Sequence, residues 1–402
     1  MKTAKIKAAA FVLILTLLQL FPVFPVKADD EELWSYYDYG DGVVAVTLTD
    51  KTVESAEVPQ KIDGKTVTMI EVDCFNGCEN LKSVKIPDTI TVIEDYSFYN
   101  CKNLESITIP KNVQNIGFQA FFGCFKLEEV NIPASVTEIE AYAFEGCNAL
   151  TAIHVADSNP NYKDEDGILF DIEGKTLILY PSAKEGTSYS VPDGCTRVEE
   201  YAFMGCTHLE SINIDNITEL GRDAFYYCTS LKTIRIPDSI TELEGSVFGN
   251  CNSMETIQLP ANLRKIGSGC FYSCFMLKEI EIPETVTTIE SNAFFNCASL
   301  KTIHLTKNVT EIGNYALGYC YTGNAEGEEN EKPSKLPDFV VDAKDDTTAF
   351  AYCVTNEIKC TGGVTQGTVF IYIIIGVIVL AVVVTIALII IQKRIQKRYE
   401  LN

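Results

Sequence analysis

The sequence predicts a β-rich solenoid of stacked coils, followed by one membrane helix at the C-terminus. Two observations carry this prediction. A motif with a period of 23 residues recurs from Phe75 to Leu317, and residues 369–391 contain no charged side chain. A constant period of this kind is typical of solenoids, and an uncharged apolar run of about 20 residues is long enough to span a bilayer.

The motif reads F-x-x-C-x-x-L-x-x-I-x-I-P-x-x-V-x-x-I-x-x-x-A, and each copy begins 23 residues after the last, except for one step of 59 and one of 22. Its L-x-x-I-x-I-P part alternates with period 2, which predicts a short strand ended by proline. The V-x-x-I and A-F-x-x-C parts should return the chain on the opposite side, as short extended segments and 3₁₀ or helical turns. The copies begin at Phe75, Phe98, Phe121, Phe144, Phe203, Phe225, Phe248, Phe271, Phe294 and Leu317.

A single coil buries about eight apolar side chains, too few to offset the entropy of ordering its backbone and side chains. Neighbouring coils bury each other's flat faces, so the units fold only as a stack. The motif resembles the leucine-rich repeats of the BspA type, a family of bacterial and protist surface proteins. This resemblance implies a leucine-rich-repeat solenoid of the α/β class, with a parallel sheet on its concave face and short turns on its convex side. It also implies adhesion or protein binding rather than catalysis.

The N-terminal part of the chain is predicted to contain an export segment followed by a capping segment. Residues 1–28 combine three early lysines, a short apolar run and Val26-Lys27-Ala28, which predicts a signal peptide; the run is too short for a first membrane helix. Residues 29–74 resemble the family's opening coil and should cap the apolar end of the stack. The aromatic cluster of this segment, from Trp34 to Tyr39, packs in that cap, or alternatively forms a ligand platform.

The step of 59 residues marks an insertion at 157–188, inside a repeat region that spans 75–320. Its N-P-N-Y and D-G-I-L-F signatures resemble the family, and Gly174 between two apolar runs predicts a β-hairpin. Asp164, Glu165 and Asp166 lack the spacing and the closing Glu of a calcium loop. The acidic run is therefore interpreted as a solvated approach to the hairpin.

After the repeats, residues 321–360 are predicted to form an acidic loop and a C-terminal cap. Residues 361–368 should be a flexible stalk, 369–391 a transmembrane helix and 392–402 a basic cytoplasmic tail, because Lys393, Arg394, Lys397 and Arg398 follow the span directly. The ending also resembles a cell-wall sorting signal, but the L-P-x-T-G motif is absent. A retained single-pass anchor with the repeats outside the cell is the favoured interpretation.

The charge of the chain disfavours nucleic acid as a partner. Without the four lysines of the leader, and without the four basic residues and Glu400 of the tail, 24 basic and 54 acidic residues remain, a charge of about −30. Such a surface repels phosphate backbones and anionic lipid headgroups.

Thirteen of the fifteen cysteines occupy apolar slots of the repeat, ten of them the same slot. We expect these thirteen to be buried free thiols rather than disulfides. Cys353 and Cys360 lie outside the pattern. A bond between them, or from one of them to Cys320, stays open.

No residue pattern indicates catalysis, a cofactor or a metal site. His208 lies two residues after Cys206, but the repeat turns that cysteine inward, and His154 and His304 belong to distant coils. No H-E-x-x-H, G-x-S-x-G or phosphate-binding glycine motif occurs.

The candidate binding surface is the concave sheet, where the residues between and beside the motif isoleucines face outward. They are mixed polar residues without an aromatic hot spot, so solvated strands are an equal alternative. The candidate positions are Lys85, Thr108, Asn131, His154, Asn213, Arg235, Gln258, Glu281 and His304.

The sequence thus predicts a membrane-anchored surface protein whose solenoid binds a protein of a host, a neighbouring cell or a matrix. A structural spacer without a specific ligand is the main alternative. A signalling receptor is disfavoured, because the tail of about ten residues leaves no room for a signalling domain.

Overall fold

The computed structural model of this chain describes residues 33–321 and 333–361, which form two compact units divided between Tyr162 and Lys163. The predicted signal peptide and membrane helix lie outside the described residues, as do most of the acidic loop and the stalk after Thr361. Within the described ranges, no helix is long and apolar enough to cross a membrane.

The first unit consists of two rows of short strands and a small hairpin. Its strands are β1 (Trp34–Gly40), β2 (Val43–Leu48), β3 (Ser55–Glu57), β4 (Lys61–Ile62), β5 (Lys65–Thr66), β6 (Met69–Ile70), β7 (Ser83–Lys85), β8 (Val92–Ile93), β9 (Ser106–Ile107), β10 (Asn115–Ile116), β11 (Glu129–Ile132), β12 (Glu138–Ile139) and β13 (Ala152–Val155). One row is the sheet β1-β2-β6-β8-β10-β12, in which only β1 and β2 pair antiparallel. The other row contains β3-β7-β9 and β11-β13, both parallel.

The second unit repeats this arrangement and has a helix before its last strand. Its strands, the first of which spans the division between the units, are β14 (Tyr162–Glu165), β15 (Ile168–Asp171), β16 (Thr176–Leu179), β17 (Ser188–Ser190), β18 (Arg197–Val198), β19 (Ser211–Asn213), β20 (Glu219–Leu220), β21 (Thr233–Arg235), β22 (Glu242–Leu243), β23 (Thr256–Gln258), β24 (Lys265–Ile266), β25 (Thr288–Ile289), β26 (Thr302–His304), β27 (Glu311–Ile312), β28 (Tyr319–Tyr321), β29 (Pro333–Lys335), β30 (Val340–Asp342) and β31 (Lys359–Cys360). Helix α1 is Thr348–Asn356. The I-x-I row contains β17-β19-β21-β23 and β26-β30-β31, while the V-x-x-I row contains β14-β15-β16-β18-β20 and β22-β24-β25-β27.

The turns between the two rows differ from the prediction of 3₁₀ or helical segments. Each A-F-x-x-C segment is a series of turns in which two residues four positions apart have positive φ, such as Tyr96 (55°) and Asn100 (57°). Left-handed residues interrupt a helical run, so alternate N–H groups point at the next coil. Phe98 N–H, for example, donates to the carbonyl of Ala120 at 2.7 Å. The turns therefore form a third inter-coil ladder of backbone hydrogen bonds.

The first residue of each motif stacks in a column of aromatic rings inside each unit. From Phe75 to Phe144 the ring centroids are 4.7 to 5.3 Å apart and the planes are nearly parallel. In the second unit the column begins at Tyr180, and its steps to Phe294 measure 5.1 to 5.7 Å. Tyr180 precedes Phe203 by 23 residues and is buried. Sequence analysis missed this role, because it placed Tyr180 in the insertion 157–188.

Large side chains close the ends of the two columns. In the first unit, Trp34 of β1 packs edge-on against Phe75 at 5.7 Å. In the second unit, Leu317 takes the ring position, and Tyr352 of α1 covers it: Leu317 N–H donates to the tyrosine hydroxyl, which donates to the carbonyl of Leu317, both at 3.2 Å. Burial raises the pKa of Tyr352, so the hydroxyl stays protonated. The caps thus continue the pattern of the repeat with non-repeat residues.

The motif cysteines do more than fill space. All thirteen in-pattern cysteines are buried and free. Seven of them donate their thiol to the carbonyl of the motif Phe in the preceding coil at 3.1 to 3.3 Å, as Cys274 does to Phe248 at 3.2 Å. A small apolar residue with one weak donor satisfies both the packing and the carbonyl.

We expect Cys274→Ala to lower the free energy of unfolding by about 1 to 2 kcal/mol, because it removes this donor and leaves a small cavity. Cys274→Ser should cost less than Cys274→Ala, since a hydroxyl can donate to the same carbonyl. Cys270→Ala is the matched control and should be nearly neutral, because Ala stands at that slot in other copies. Urea unfolding under reducing conditions measures all three. A Ser variant that is less stable than the Ala variant would show that only apolar packing matters.

Alkaline pH should destabilise the chain steeply. Burial is the main cause of the raised pKa of eleven cysteines, Cys74, Cys124, Cys147, Cys195, Cys206, Cys251, Cys270, Cys274, Cys297, Cys320 and Cys353. Above the ordinary thiol pKa of about 8.5, the unfolded chain loses these protons while the folded chain keeps them. Stability therefore falls as pH rises, by about 1.4 kcal/mol per pH unit for each such thiol.

Urea unfolding at pH 7.5, 8.5, 9 and 9.5, below the range of ordinary tyrosines, measures this slope. Cys270→Ala should reduce the slope by the share of one thiol, about 1.4 kcal/mol per pH unit. A flat profile up to pH 9.5 would contradict the burial of the thiols.

Candidate binding face

The nine candidate residues occupy equivalent positions on the I-x-I rows, and all nine side chains are exposed. The first unit carries Lys85 on β7, Thr108 just after β9, Asn131 on β11 and His154 on β13. The second unit carries Asn213 on β19, Arg235 on β21, Gln258 on β23, Glu281 in a loop and His304 on β26. The structure therefore brings the candidates together within each unit, as two separate groups.

In-register parallel pairing aligns candidates of neighbouring coils. Asn131 lies opposite His154, and Arg235 lies opposite Gln258. Because side chains alternate along a strand, residues at the same motif position then line up on one face.

The charged candidates are mostly tied to carboxylates on adjacent strands and loops. Lys85 Nζ lies 2.5 Å from Glu57, and Arg235 lies 2.9 Å from Asp215. His304 Nδ1 is 2.9 Å from the carboxylate of Asp342. Hydrogen bonds from Thr361 and then from His304 lower the pKa of Asp342. The charges of Lys85 and Arg235 are therefore partly neutralised before any ligand arrives.

The strand row of the second unit is interrupted at Glu279–Ile282, where the sequence predicts another strand. Among the described residues, β23 pairs with β21 and β26 pairs with β30, and no backbone hydrogen bond joins 279–282 to either neighbour. On the turn side the same coils stay bonded, with Phe271 N–H donating to Ala293 at 2.8 Å. Backbone groups beside the exposed side chains of Glu279 and Glu281 can bond to water, so the missing pairing is tolerated.

A cleft of about 950 Å³ lies at this interruption. Four of the nine candidates, Arg235, Gln258, Glu281 and His304, contribute to its lining. The cleft thus brings together four of the second unit's five candidates, all except Asn213, at the place where backbone donors and acceptors are left unpaired.

A comparison with known protein families shows to which family the chain belongs. The family described as the BspA type leucine rich repeat region matches residues 53–165 and 196–324, with six copies, which is more than half of the chain. The chain belongs to the BspA-type leucine-rich repeat family. The predicted resemblance is confirmed, and with it the leucine-rich-repeat solenoid fold.

Solved structures of bacterial leucine-rich repeat proteins are similar to this BspA-type chain. The pneumococcal vaccine antigen PcpA is 18% identical with a TM-score of 0.56, over 82% of this chain and 94% of PcpA. A leucine rich cell surface protein from Faecalibacterium prausnitzii is 27% identical with a TM-score of 0.41, over 67% and 92%. A leucine-rich repeat protein from Eubacterium ventriosum is 23% identical with a TM-score of 0.45, over 63% and 90%. No curated protein matches this chain.

Within this BspA-type fold, the cleft has an acidic balance. Glu279 and Glu281 line it, and in the described part of the chain neither makes an ion pair. Arg235 and His304 lie against Asp215 and Asp342, as described above. The cleft can therefore accept hydrogen bonds and positive charge, and its floor includes the buried side chains of the isoleucines at 257, 280 and 282.

The described residues of this BspA-type repeat protein contain no group of three or more His, Cys, Asp and Glu side chains that could hold a metal ion. Burial raises the pKa of the Cys206 thiol, which points to the carbonyl of Tyr180 at 3.8 Å, while His208 is exposed. This geometry gives no activated cysteine.

Sequence reasoning places Glu279 beside Glu281 on the concave face, although not among the nine candidates, and it missed the interruption itself. The motif around the interruption is intact, with Ile280, Ile282 and Pro283 in their usual places. No signal in this chain alone distinguishes this coil from its paired neighbours.

Glu281→Lys should leave the free energy of unfolding within about 0.5 kcal/mol of the unchanged chain, because its side chain is exposed and unpaired. Ile280→Ala is the matched comparison in the same coil and should cost about 2 to 4 kcal/mol, since that side chain is buried. Thermal and urea unfolding measure both. A large loss of stability in Glu281→Lys would mean that the cleft wall depends on this carboxylate.

Proposed function

We propose that this chain is a membrane-anchored surface protein whose repeats bind a protein ligand, with the cleft at Glu279–Ile282 as the contact site. The observation that carries the proposal is the coincidence of the cleft with the interrupted strand row. Four predicted face residues and unpaired backbone groups meet there. A polypeptide partner can use both, because it offers side chains and main-chain donors and acceptors.

The character of the cleft supports a protein ligand over a small molecule. Small-molecule sites are mostly apolar and enclose their ligand. This cleft is lined by charged and polar side chains, among them Glu279, Glu281 and Arg235, and it lies on an exposed strand face. Nothing in its chemistry calls for catalysis, and the family is a repeat family of surface proteins.

The location of the protein is part of the same proposal. The leader at 1–28 and the uncharged run at 369–391, followed by basic residues, support export and a single membrane span with the C-terminus in the cytoplasm. The repeats then face the exterior, toward a host, a neighbouring cell or a matrix. The acidic balance of the chain supports a protein rather than nucleic acid as partner.

The test uses cells that display the full chain and measures their adhesion to immobilised matrix proteins and to proteins extracted from neighbouring-cell surfaces. The double variant Arg235→Glu/Glu281→Lys keeps the net charge and exchanges the two signs across the cleft. It should lower adhesion at least tenfold. Lys85→Glu, at the equivalent motif position of the first unit, is the control and should change adhesion less than twofold. Unchanged adhesion in the double variant would place the contact elsewhere.

Deleting two whole coils separates binding from a spacer role. Removal of residues 248–293 takes out the cleft in a multiple of the repeat, and adhesion should be lost. Removal of 98–143, also two repeats, should shorten the first unit and leave adhesion in place. If both deletions merely reduce the reach of the protein from the cell, the repeats act as a spacer.

A further inference from the structure

The two edges of the first unit's six-stranded sheet are treated differently. At one edge, β12 is covered by side chains of the N-P-N-Y segment. Ile139 N–H donates to the hydroxyl of Tyr162 at 2.9 Å, and Asn161 donates its amide N–H to the carbonyl of Thr137 at 2.6 Å. Asn159 likewise donates to the carbonyl of Val136 at 2.9 Å. The N-P-N-Y signature is therefore an edge cover.

The other edge, β1, has no such cover among the described residues. Thr49 N–H donates to the carbonyl of Leu33 at 3.0 Å, so these two residues form a hydrogen-bonded pair. Hydrogen-bonded and non-hydrogen-bonded pairs alternate along an antiparallel ladder, so it is the odd-numbered residues of β1 that bond to β2. The N–H and C=O groups of Trp34, Tyr36 and Asp38 then point away from β2. At seven residues, β1 is the longest strand described, and its outer edge pairs with no other strand of the described chain.

Two exposed rings stand on one face of this edge strand. Tyr37 and Tyr39 are 55% and 61% exposed and stack at 6.4 Å. Alternate residues of a strand share a face, so a strand added beside β1 would place its own alternate side chains against these rings. Ammonium and guanidinium groups are attracted to such rings.

The charge of the segment selects the kind of strand. The carboxylates on or against this segment in the described chain include those of Asp38 and Asp41. They also include those of Asp63 and Glu71, which accept hydrogen bonds from the hydroxyls of Tyr36 at 2.7 Å and Tyr39 at 2.8 Å. One of them, Asp38, is paired with Lys65 at 2.9 Å. Antiparallel pairing with a second copy of the chain would bring two such acidic segments together, which is unfavourable.

We propose that the outer edge of β1 is a docking site for an extended, lysine- or arginine-rich segment of a partner protein, which joins the sheet as a seventh strand. Main-chain hydrogen bonds to Trp34, Tyr36 and Asp38 supply the pairing. The acidic segment and the two rings select basic side chains. The irregularity in β1 between Asp38 and Gly40 limits the paired stretch to the first part of the strand.

The probe for this proposal is the synthetic peptide (Lys-Thr)₃-Lys, added to the full chain in a non-ionic detergent. Trp34 is the only tryptophan and lies in β1, so its fluorescence reports on the site directly. The peptide should cause a saturable fluorescence change. The same peptide with alternate amides N-methylated keeps its charge but cannot pair as a strand on the methylated edge, and it should bind at least tenfold more weakly. (Glu-Thr)₃-Glu should not bind.

A matched pair of variants tests the strand edge itself. Tyr36→Pro removes an outward N–H without removing a rung to β2, and it should weaken peptide binding at least tenfold. Tyr36→Val loses the same side chain but keeps the N–H, and it should bind within threefold of the unchanged chain. Thermal unfolding checks that both variants fold, and the N-methylated peptide tests the proposal on the unchanged chain if the proline variant does not.

Equal binding of the N-methylated peptide would overturn the proposal, because charge alone would then explain the affinity. Equal binding by Tyr36→Pro would overturn it as well. Light scattering that shows two copies joined, with a joint lost in Tyr36→Pro, would assign the edge to self-association instead.

Discussion

The fold depends on the backbone hydrogen bonds that join each turn to the next coil. Alternate N–H groups of the A-F-x-x-C segment donate outward because two residues per coil have left-handed dihedrals. Phe203 N–H to Ala224 O at 2.8 Å and Phe225 N–H to Val247 O at 2.9 Å are typical bonds of this ladder. They fix the spacing at which the aromatic rings stack and the thiols reach their carbonyls. In the second unit the turn ladder runs past the coil whose strand is unpaired, so it holds the stack where the strand row does not.

The strands were predictable because their signal is local. Period-2 alternation ended by proline identifies β7 and β21 without knowledge of neighbours. The turns were not predictable, because the residue types at the left-handed positions do not indicate that conformation. Tyr96 and Gln119 stand at a slot where Asp223 or Gly269 stand in other coils, and all four have positive φ. Tyrosine and glutamine seldom adopt that conformation, so composition alone predicts a helical turn there. Tyr180 was missed for a related reason, since it continues the ring column from within an insertion.

The sequence predicted which surface carries the candidate site, but not where on that surface the cleft lies. Motif register places Arg235, Gln258, Glu281 and His304 on one surface, and the structure keeps them there. The local motif at Glu279–Ile282 is unchanged, so the separation of the strand row there has no signal in the sequence. The ion pair between Arg235 and Asp215 also joins two coils. Motif spacing predicts which residues face outward, but not which of them pair with each other. Sequence patterns therefore locate the surface. The I-x-I row of the first unit is also divided, between β9 and β11, so what distinguishes Glu279–Ile282 is that the unpaired backbone coincides there with a cleft of about 950 Å³.

The buried thiols have a consequence for how the chain matures. Fifteen cysteines offer a very large number of wrong cross-links while the chain is open. Each coil that closes withdraws its sulfur from solvent, and burial, which raises the pKa of most of these thiols, then suppresses the thiolate that oxidation requires. Closure of the coils one after another therefore protects the cysteines from forming wrong disulfides. Such a protein reaches its stable fold without an oxidative folding catalyst when the coils stack faster than their cysteines oxidise.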